Sequence, residues 1–227
     1  EKLGINIDLS HSEIEGVFDS ENLAFLFAKK FHPIFKHFAE VRKKISKPTF
    51  FNLLGPLLNP ADVSKQIIGT TFRDKMSLIA ETCRLLGKEH VFIVCGEDGL
   101  DEVTLSGKTF VVELKKEVIR DFVLSPEDFG VKPVQFSKIA GGSGVKNTAL
   151  AVNILKGKCK TPHADLVLIN TALGLLLAGK AHSLKQGYRI ASKAVVNGTV
   201  YETFEKMQLL LRSGSVLLEI VRNKKIE

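Results

Sequence analysis

Three carboxylates, Asp98, Asp101 and Glu102, fall within five residues in the run Gly96-Glu97-Asp98-Gly99-Leu100-Asp101-Glu102. Neighbouring acids repel one another unless a cation compensates them, and hard oxygen ligands of this kind suit magnesium. The run follows directly on Val91–Cys95, a continuous apolar stretch. The carboxyl end of a buried parallel strand is where open α/β sheets place their sites. Two glycines allow a tight turn there. On composition alone, the same run is also an acidic surface turn.

Other constellations are less specific. Asn52-Leu53-Leu54-Gly55-Pro56-Leu57-Leu58-Asn59-Pro60 places two prolines and a glycine inside an apolar run. It reads as a non-periodic loop that forms a hinge, lines a cleft or simply connects two elements. Arg42, among lysines on the preceding segment, carries a fork that can hold a carboxylate or phosphate bidentately. Ala140-Gly141-Gly142-Ser143-Gly144 leads into a helix. Neither dinucleotide nor Walker spacing follows, so a flexible helix entry is the better reading. His32 and His37 share one segment while His163 and His182 stand apart, and no nucleophile-base arrangement can be built from their spacing.

The elements that must position these residues alternate. Ser12 is expected to cap a short helix, with Glu13 and Glu15 at its positive end. Apolar Ile34, Phe35, Phe38 and Val41 predict a helix over His32–Ile45 that ends at Lys47-Pro48. Gln66–Gly69 reads as a buried strand, Asp74 as the cap of a helix reaching Leu86, and Gly87 as its close. With Val91–Cys95 this makes a βαβ unit. Thr109–Leu114 and Val118–Val123 form a hairpin across Lys115-Lys116-Glu117, and Ser125-Pro126-Glu127-Asp128 opens a helical turn. Helices are expected near 145–156, 163–179, 182–196 and 198–212. The expected class is α/β: a central, mainly parallel sheet flanked by helices, with part of a small helical subdomain.

The 227 residues are 44% apolar and 25% charged, which excludes disorder and fibrous repeats. A chain of this length buries roughly 70% of its unfolded surface and needs no metal or disulfide to fold. The longest apolar run, Leu166–Ala178, is interrupted by Asn170 and Thr171 and falls short of the ~18 residues of a membrane span. Cys83, Cys95 and Cys159 are an odd, scattered set, which points to a reducing, cytoplasmic compartment. Thirty-two Lys and Arg against 25 Asp and Glu give +7, compatible with an anionic substrate or a nucleic acid. No aromatic ladder accompanies the basic residues, which argues against nucleic acid. The chain starts at Glu1 without Met, and it is expected to be a portion of a longer protein.

Taken together, these segments resemble the anthranilate phosphoribosyltransferases, in the class that also contains the pyrimidine-nucleoside phosphorylases. The resemblance is carried by Phe25-Leu26-Phe27-Ala28, Phe31-His32-Pro33, Val41-Arg42-Lys43-Lys44 and Thr49-Phe50-Phe51-Asn52-Leu53-Leu54-Gly55-Pro56-Leu57-Leu58-Asn59-Pro60. Gly99-Leu100-Asp101-Glu102, Pro126-Glu127-Asp128-Phe129-Gly130, Ala140-Gly141-Gly142 and Asn147-Thr148-Ala149 follow in the same order, so it extends to about Leu211. It implies transfer of the phosphoribosyl group of phosphoribosyl pyrophosphate (PRPP) to anthranilate, a step of tryptophan biosynthesis, with release of pyrophosphate. It also implies that Asp101 and Glu102 bind magnesium and that Arg42 contacts anthranilate.

The family's Gly-Thr-Gly-Gly-Asp loop does not occur in this chain, and the resemblance places it upstream. Cys95 stands where relatives often have His, and Lys29 where they often have Pro. The implied organisation is a remnant of the helical subdomain with hinge segments over 1–60 and an α/β phosphoribosyltransferase domain over 61–227. The implied assembly is a homodimer of the complete protein, the isolated chain being an incomplete form. Two alternatives stand beside this reading: a non-catalytic relative that binds nucleic acid through its basic surface, and a nucleoside phosphorylase.

Overall fold

The computed structural model describes residues 2–38, 44–45, 49, 51–158 and 160–212. These divide into two units, one drawn from 49–141 and 159–194, the other from 1–48, 142–158 and 195–227. A single division after residue 60 assigns 142–158 and 195–227 to the α/β part instead.

The larger unit is built on a four-stranded sheet in the order β1-β2-β3-β4, comprising β1 (Lys65–Gly69), β2 (His90–Gly96), β3 (Thr109–Lys115) and β4 (Val118–Leu124). β1 and β2 are parallel, joined by a helix over Met76–Leu85, as a βαβ unit requires. β2–β3 and β3–β4 are antiparallel. The α/β class stands, but the expectation of a mainly parallel sheet does not hold among the described strands. After β2 the chain returns through the irregular segment 97–108, which holds no helix to carry it across a face of the sheet, and β3 pairs with β2 antiparallel. The β3–β4 hairpin closes on Lys116 and Glu117, both at positive φ, as a tight twisted turn demands.

β2 is buried along its whole length because both faces are covered. Val91, Ile93 and Cys95 face Met76, Ile79, Ala80 and Cys83, which recur at helical spacing on the connecting helix. Phe92 and Val94 face the other way, into a core with Val111, Leu124, Phe129, Ile169, Ala172 and Leu173. Those last three residues belong to the helix Pro162–Leu177, which Thr161 caps by accepting the Ala164 N–H and Pro162 starts.

In chain order the described helices are α1 (His11–Glu21), α2 (Ala28–Phe31), α3 (Phe51–Leu57), α4 (Met76–Leu85), α5 (Gly144–Leu155), α6 (Pro162–Leu177), α7 (Leu184–Val196) and α8 (Thr199–Arg212). Short 3-10 turns cover Pro33–Phe38, Arg73–Lys75, Pro126–Phe129 and Phe136–Lys138. None of these helices is long and apolar enough to cross a membrane.

Four local expectations change. Asp74 does not cap α4: it lies inside the 3-10 turn Arg73–Lys75, and Lys75 holds the cap position without a side-chain bond. The cap of α1 is Ser10, not Ser12: Ser10 accepts from the Glu13 N–H while Glu13 reaches back to the Ser10 N–H, a complete capping box. The expected helix over His32–Ile45 begins as a 3-10 turn at Pro33–Phe38, and most of its remainder lies outside the described residues. The apolar stretch from Asn52, expected as a loop, is the helix α3 through Leu57. Leu53 and Leu57, one turn apart, pack on the core under α4, which offsets the single backbone bond that Pro56 removes. The freed end is stitched to β1 by the Gln66 side chain, whose Nε2 donates to the Pro56 carbonyl at 2.8 Å. Asn59-Pro60 then forms a turn, with Asn59 Oδ1 accepting from the Ala61 N–H at 3.0 Å.

The smaller unit packs α1 against α8, with Leu9, Ile14, Val17, Phe204, Met207, Leu210 and Leu211 as its core. Helix α5 starts at Gly144 with Ser143 as its cap. The glycine run before it thus serves as a helix entry.

Candidate functional site

The candidate site is the turn after β2, beside the carboxyl end of β1. Gly69, the last residue of β1, pairs with Val94, and the Thr70 N–H continues the ladder to the Val94 carbonyl at 3.0 Å. The two parallel strands therefore end side by side, and the acidic run leaves from this edge.

The turn is held from within by Asp98. Its Oδ1 accepts the Leu100 N–H at 3.1 Å, and its Oδ2 accepts the hydroxyls of both Thr104 and Ser106. The Gly96 N–H donates to the Leu100 carbonyl at 2.8 Å, closing the loop back on the strand end. A Cβ on Gly96 would sit 2.4 Å from Asp98 Oδ1, so glycine is what lets this carboxylate fold over the strand. Glu97 works the same way at the outer edge, accepting the Lys108 N–H at 3.1 Å.

Asp101 and Glu102 are used differently. Among the described residues neither carboxylate accepts a hydrogen bond or forms an ion pair. Asp101 is exposed and Glu102 half-buried. The Glu102 carboxyl is pushed up from the usual range, first by burial and then by the negative charges of Asp101 and Asp98. An adjacent pair of unpartnered carboxylates, one held partly out of water beside like charges, is a donor set that gains from a divalent cation. Among the described residues no three His, Cys, Asp or Glu side chains converge as a cage. The pair would thus supply two carboxylates and leave further positions to phosphates or water, the habit of magnesium rather than of a structural metal.

Two backbone contacts fix where the pair sits. A Cβ on Gly69 would lie 1.7 Å from the Asp101 carbonyl oxygen, so the end of β1 and the acidic turn touch backbone to backbone. Beyond Glu102, Val103 is bound at both its N–H and its carbonyl by the side chain of Asn170 on α6, each at 2.9 Å.

Cys95 is buried at the end of β2, and burial pushes its thiol up, away from the thiolate form. Its register partner Phe110 carries the Arg73 guanidinium 3.3 Å from the ring centroid, which brings a positive charge to the same strand end.

The sequence reading grouped three acids; the structure separates Asp98, spent on the turn, from Asp101 and Glu102. Thr104 and Ser106 were the signal for this, since hydroxyls so close after an acid are its natural donors. Gly69 was passed over because a glycine closing a strand looks like an ordinary terminus. Arg42 and Cys159 lie outside the described residues.

A sequence model described as "Glycosyl transferase family, a/b domain" matches residues 1–201. The chain is 40% identical over 206 residues to the anthranilate phosphoribosyltransferase of Clostridium kluyveri, covering 91% of this chain and 61% of that protein. With the Bacillus pumilus enzyme of the same name it shares 38% over 216 residues, 95% of this chain and 64% of that one. Among solved structures, that of the Saccharomyces cerevisiae anthranilate phosphoribosyltransferase with 4-fluoroanthranilate matches at TM-score 0.86 and 30% identity, over 93% of this chain and 62% of that one. The Thermus thermophilus enzyme matches at 0.84 and 35%, with the same coverage of each chain. The chain thus spans a little over 60% of the length of the relatives it matches. With 201 of its residues accounted for by that one α/β domain, the chain belongs to this glycosyl transferase family.

Proposed function

We propose that the protein transfers the phosphoribosyl group of PRPP to the amine of anthranilate, releasing pyrophosphate, with Asp101 and Glu102 holding magnesium and Arg42 contacting the anthranilate carboxylate. The observation that carries this reading is the unpartnered Asp101–Glu102 pair at the edge where β1 and β2 end, with Glu102 half-buried beside two further negative charges. Support comes from the relatives, which are named for this activity, and from a yeast structure in complex with PRPP and Mg, 32% identical over 93% of this chain. The relatives reported above are named neither as nucleoside phosphorylases nor as nucleic-acid-binding proteins. Assembly as a homodimer and action in the tryptophan pathway are parts of the same proposal.

Magnesium, when bound, supplies positive charge against the pyrophosphate oxygens as they take up the electrons of the breaking bond. The chain's own contribution is positional. Asp98 consumes the hydrogen-bond capacity of the turn and leaves the other two carboxylates free. The guanidinium of Arg42 is suited to a bidentate grip on a carboxylate, which would turn the anthranilate amine toward the sugar. An aromatic amine is already neutral at pH 7, so no strong base is required and orientation carries the step.

The experiment is magnesium- and PRPP-dependent consumption of anthranilate, followed by the loss of its fluorescence. It is run with this chain and with the longest reading frame that contains it. Asp101→Asn combined with Glu102→Gln should remove magnesium-dependent turnover, and Arg42→Ala should raise the KM for anthranilate far more than that for PRPP. Undiminished turnover in the double variant would end the metal assignment, and an unchanged anthranilate KM would remove Arg42 from the site.

A further inference from the structure

Helix α6 is apolar nearly throughout, yet it carries Asn170 between core residues: Ile169 and Ala172 are fully buried. Its neighbour Thr171 is satisfied within the helix, donating to the Val167 carbonyl at 2.8 Å. Asn170 is not. Its Oδ1 accepts the Val103 N–H and its Nδ2 donates to the Val103 carbonyl, both at 2.9 Å, with a further bond to the Leu166 carbonyl at 2.9 Å. The carboxamide thus copies the pairing of a strand neighbour on one residue. Val103 is 1% exposed, so water cannot replace these bonds.

Val103 directly follows Glu102. On the other side of the pair, Leu100 is held by Asp98 Oδ1 and by the Gly96 N–H. Asp101 and Glu102 are therefore a two-residue span between two anchors, and one anchor comes from a helix 67 residues downstream. We propose that Asn170 is the positioning residue of this carboxylate pair: by gripping Val103 at both backbone groups it sets the direction in which Asp101 and Glu102 project, so that both can meet one divalent cation. The inference rests on the reading of that pair as cation ligands.

The test is titration of this chain with Mn2+, a spectroscopic stand-in for magnesium, with free ion read by electron paramagnetic resonance. Asn170→Ala should weaken Mn2+ binding about tenfold or more, the range expected when the partner that orients a ligand is removed. Leu173→Ala, one turn along α6 and also destabilising, should leave binding at the native level. Asn170→Asp keeps the bond from the Val103 N–H but loses both donated bonds. Its added negative charge alone would tighten cation binding, whereas lost positioning weakens it, so this isosteric variant decides the matter if the alanine variant does not fold. Native or tighter binding in Asn170→Asp, or an equal loss in Leu173→Ala, overturns the proposal. Glu102→Gln is run beside them. If it binds Mn2+ as the native chain does, the carboxylate pair is not the cation site and the inference falls with that reading; if it alone loses binding, only the role of Asn170 falls.

Discussion

Replacing Gly69 by Ala is the sharpest perturbation of the site that leaves every charged group in place. The new Cβ would stand 1.7 Å from the Asp101 carbonyl oxygen and 2.7 Å from its carbon, whereas ordinary contact begins at 3.4 Å. One of the two backbones must therefore give by about 1.7 Å. Gly69 cannot easily be the one that moves, because it is paired to Val94 and followed by the Thr70–Val94 bond at 3.0 Å. Asp101 lies on an exposed turn and yields instead, between anchors at Leu100 and Val103.

The consequence divides into two magnitudes. Overpacking of this kind costs about 1–3 kcal/mol of stability, and a clash with backbone rather than with the end of a flexible side chain belongs at the high end. A displacement above 1 Å at a positioned group costs about a hundredfold in rate or more. Gly69→Ala should thus lower the urea midpoint measurably, weaken Mn2+ binding, and lower magnesium-dependent turnover by roughly two orders of magnitude. Gly174→Ala is the matched control. It sits inside α6, where a built Cβ meets only Ile67 Cδ1 at 4.0 Å, ordinary contact, and it should be neutral or stabilising by about 0.5–1 kcal/mol. Native cation affinity in a folded Gly69→Ala variant would refute the claim that the end of β1 sets the acidic turn.

Two further predictions use other parts of the same unit. Because the Glu102 carboxyl is raised above its ordinary 4.5 by burial and by Asp101 and Asp98, the folded protein holds that proton more tightly than the unfolded chain does. Its contribution is therefore present below the ordinary value and lost as pH rises through the raised one; urea midpoints without metal should fall across that window, and Glu102→Gln should flatten the fall. Magnesium should stabilise only above the window, and equal stabilisation below it would contradict the assignment. At the other end of the strands, buried Glu113 accepts Arg120 Nε at 2.6 Å and lies 2.7 Å from His90 Nε2. Glu113→Ala should cost about 2 kcal/mol by leaving His90 without its partner. It should not alter Mn2+ affinity, since its register partner Phe92 lies four residues, roughly 13 Å, along β2 from Gly96.

What could be read from the sequence was whatever a short window contains. Val91–Cys95 announced a strand covered on both faces, and the glycines after it announced the turn, because both signals are local. The hairpin at Lys116-Glu117 was equally local. The antiparallel return of β3 onto β2 was not, since strand direction depends on whether a connection packs as a helix, and the segment from Glu97 to Lys108 carries a turn pattern that says nothing about its neighbour. Pro56 misled for a related reason: a proline penalty belongs to the isolated segment, and the burial of Leu53 and Leu57 that overrides it belongs to the fold.

The site divides along the same line. Asp98, Asp101 and Glu102 are indistinguishable as letters. What separates them is where their hydrogen bonds go, and two of the donors that occupy Asp98, Thr104 and Ser106, lie within reach of a local reading. The contacts that fix Asp101 and Glu102, Gly69 at one end and Asn170 at the other, come from far along the chain. Asn170 entered the sequence reading only as a break in an apolar run, yet a lone carboxamide in a buried helix has two N–H donors and an acceptor oxygen to satisfy somewhere. A polar residue that interrupts an otherwise unbroken core face is therefore better treated as one end of a contact whose other end is to be looked for among irregular backbone, and here that backbone is the residue after Glu102.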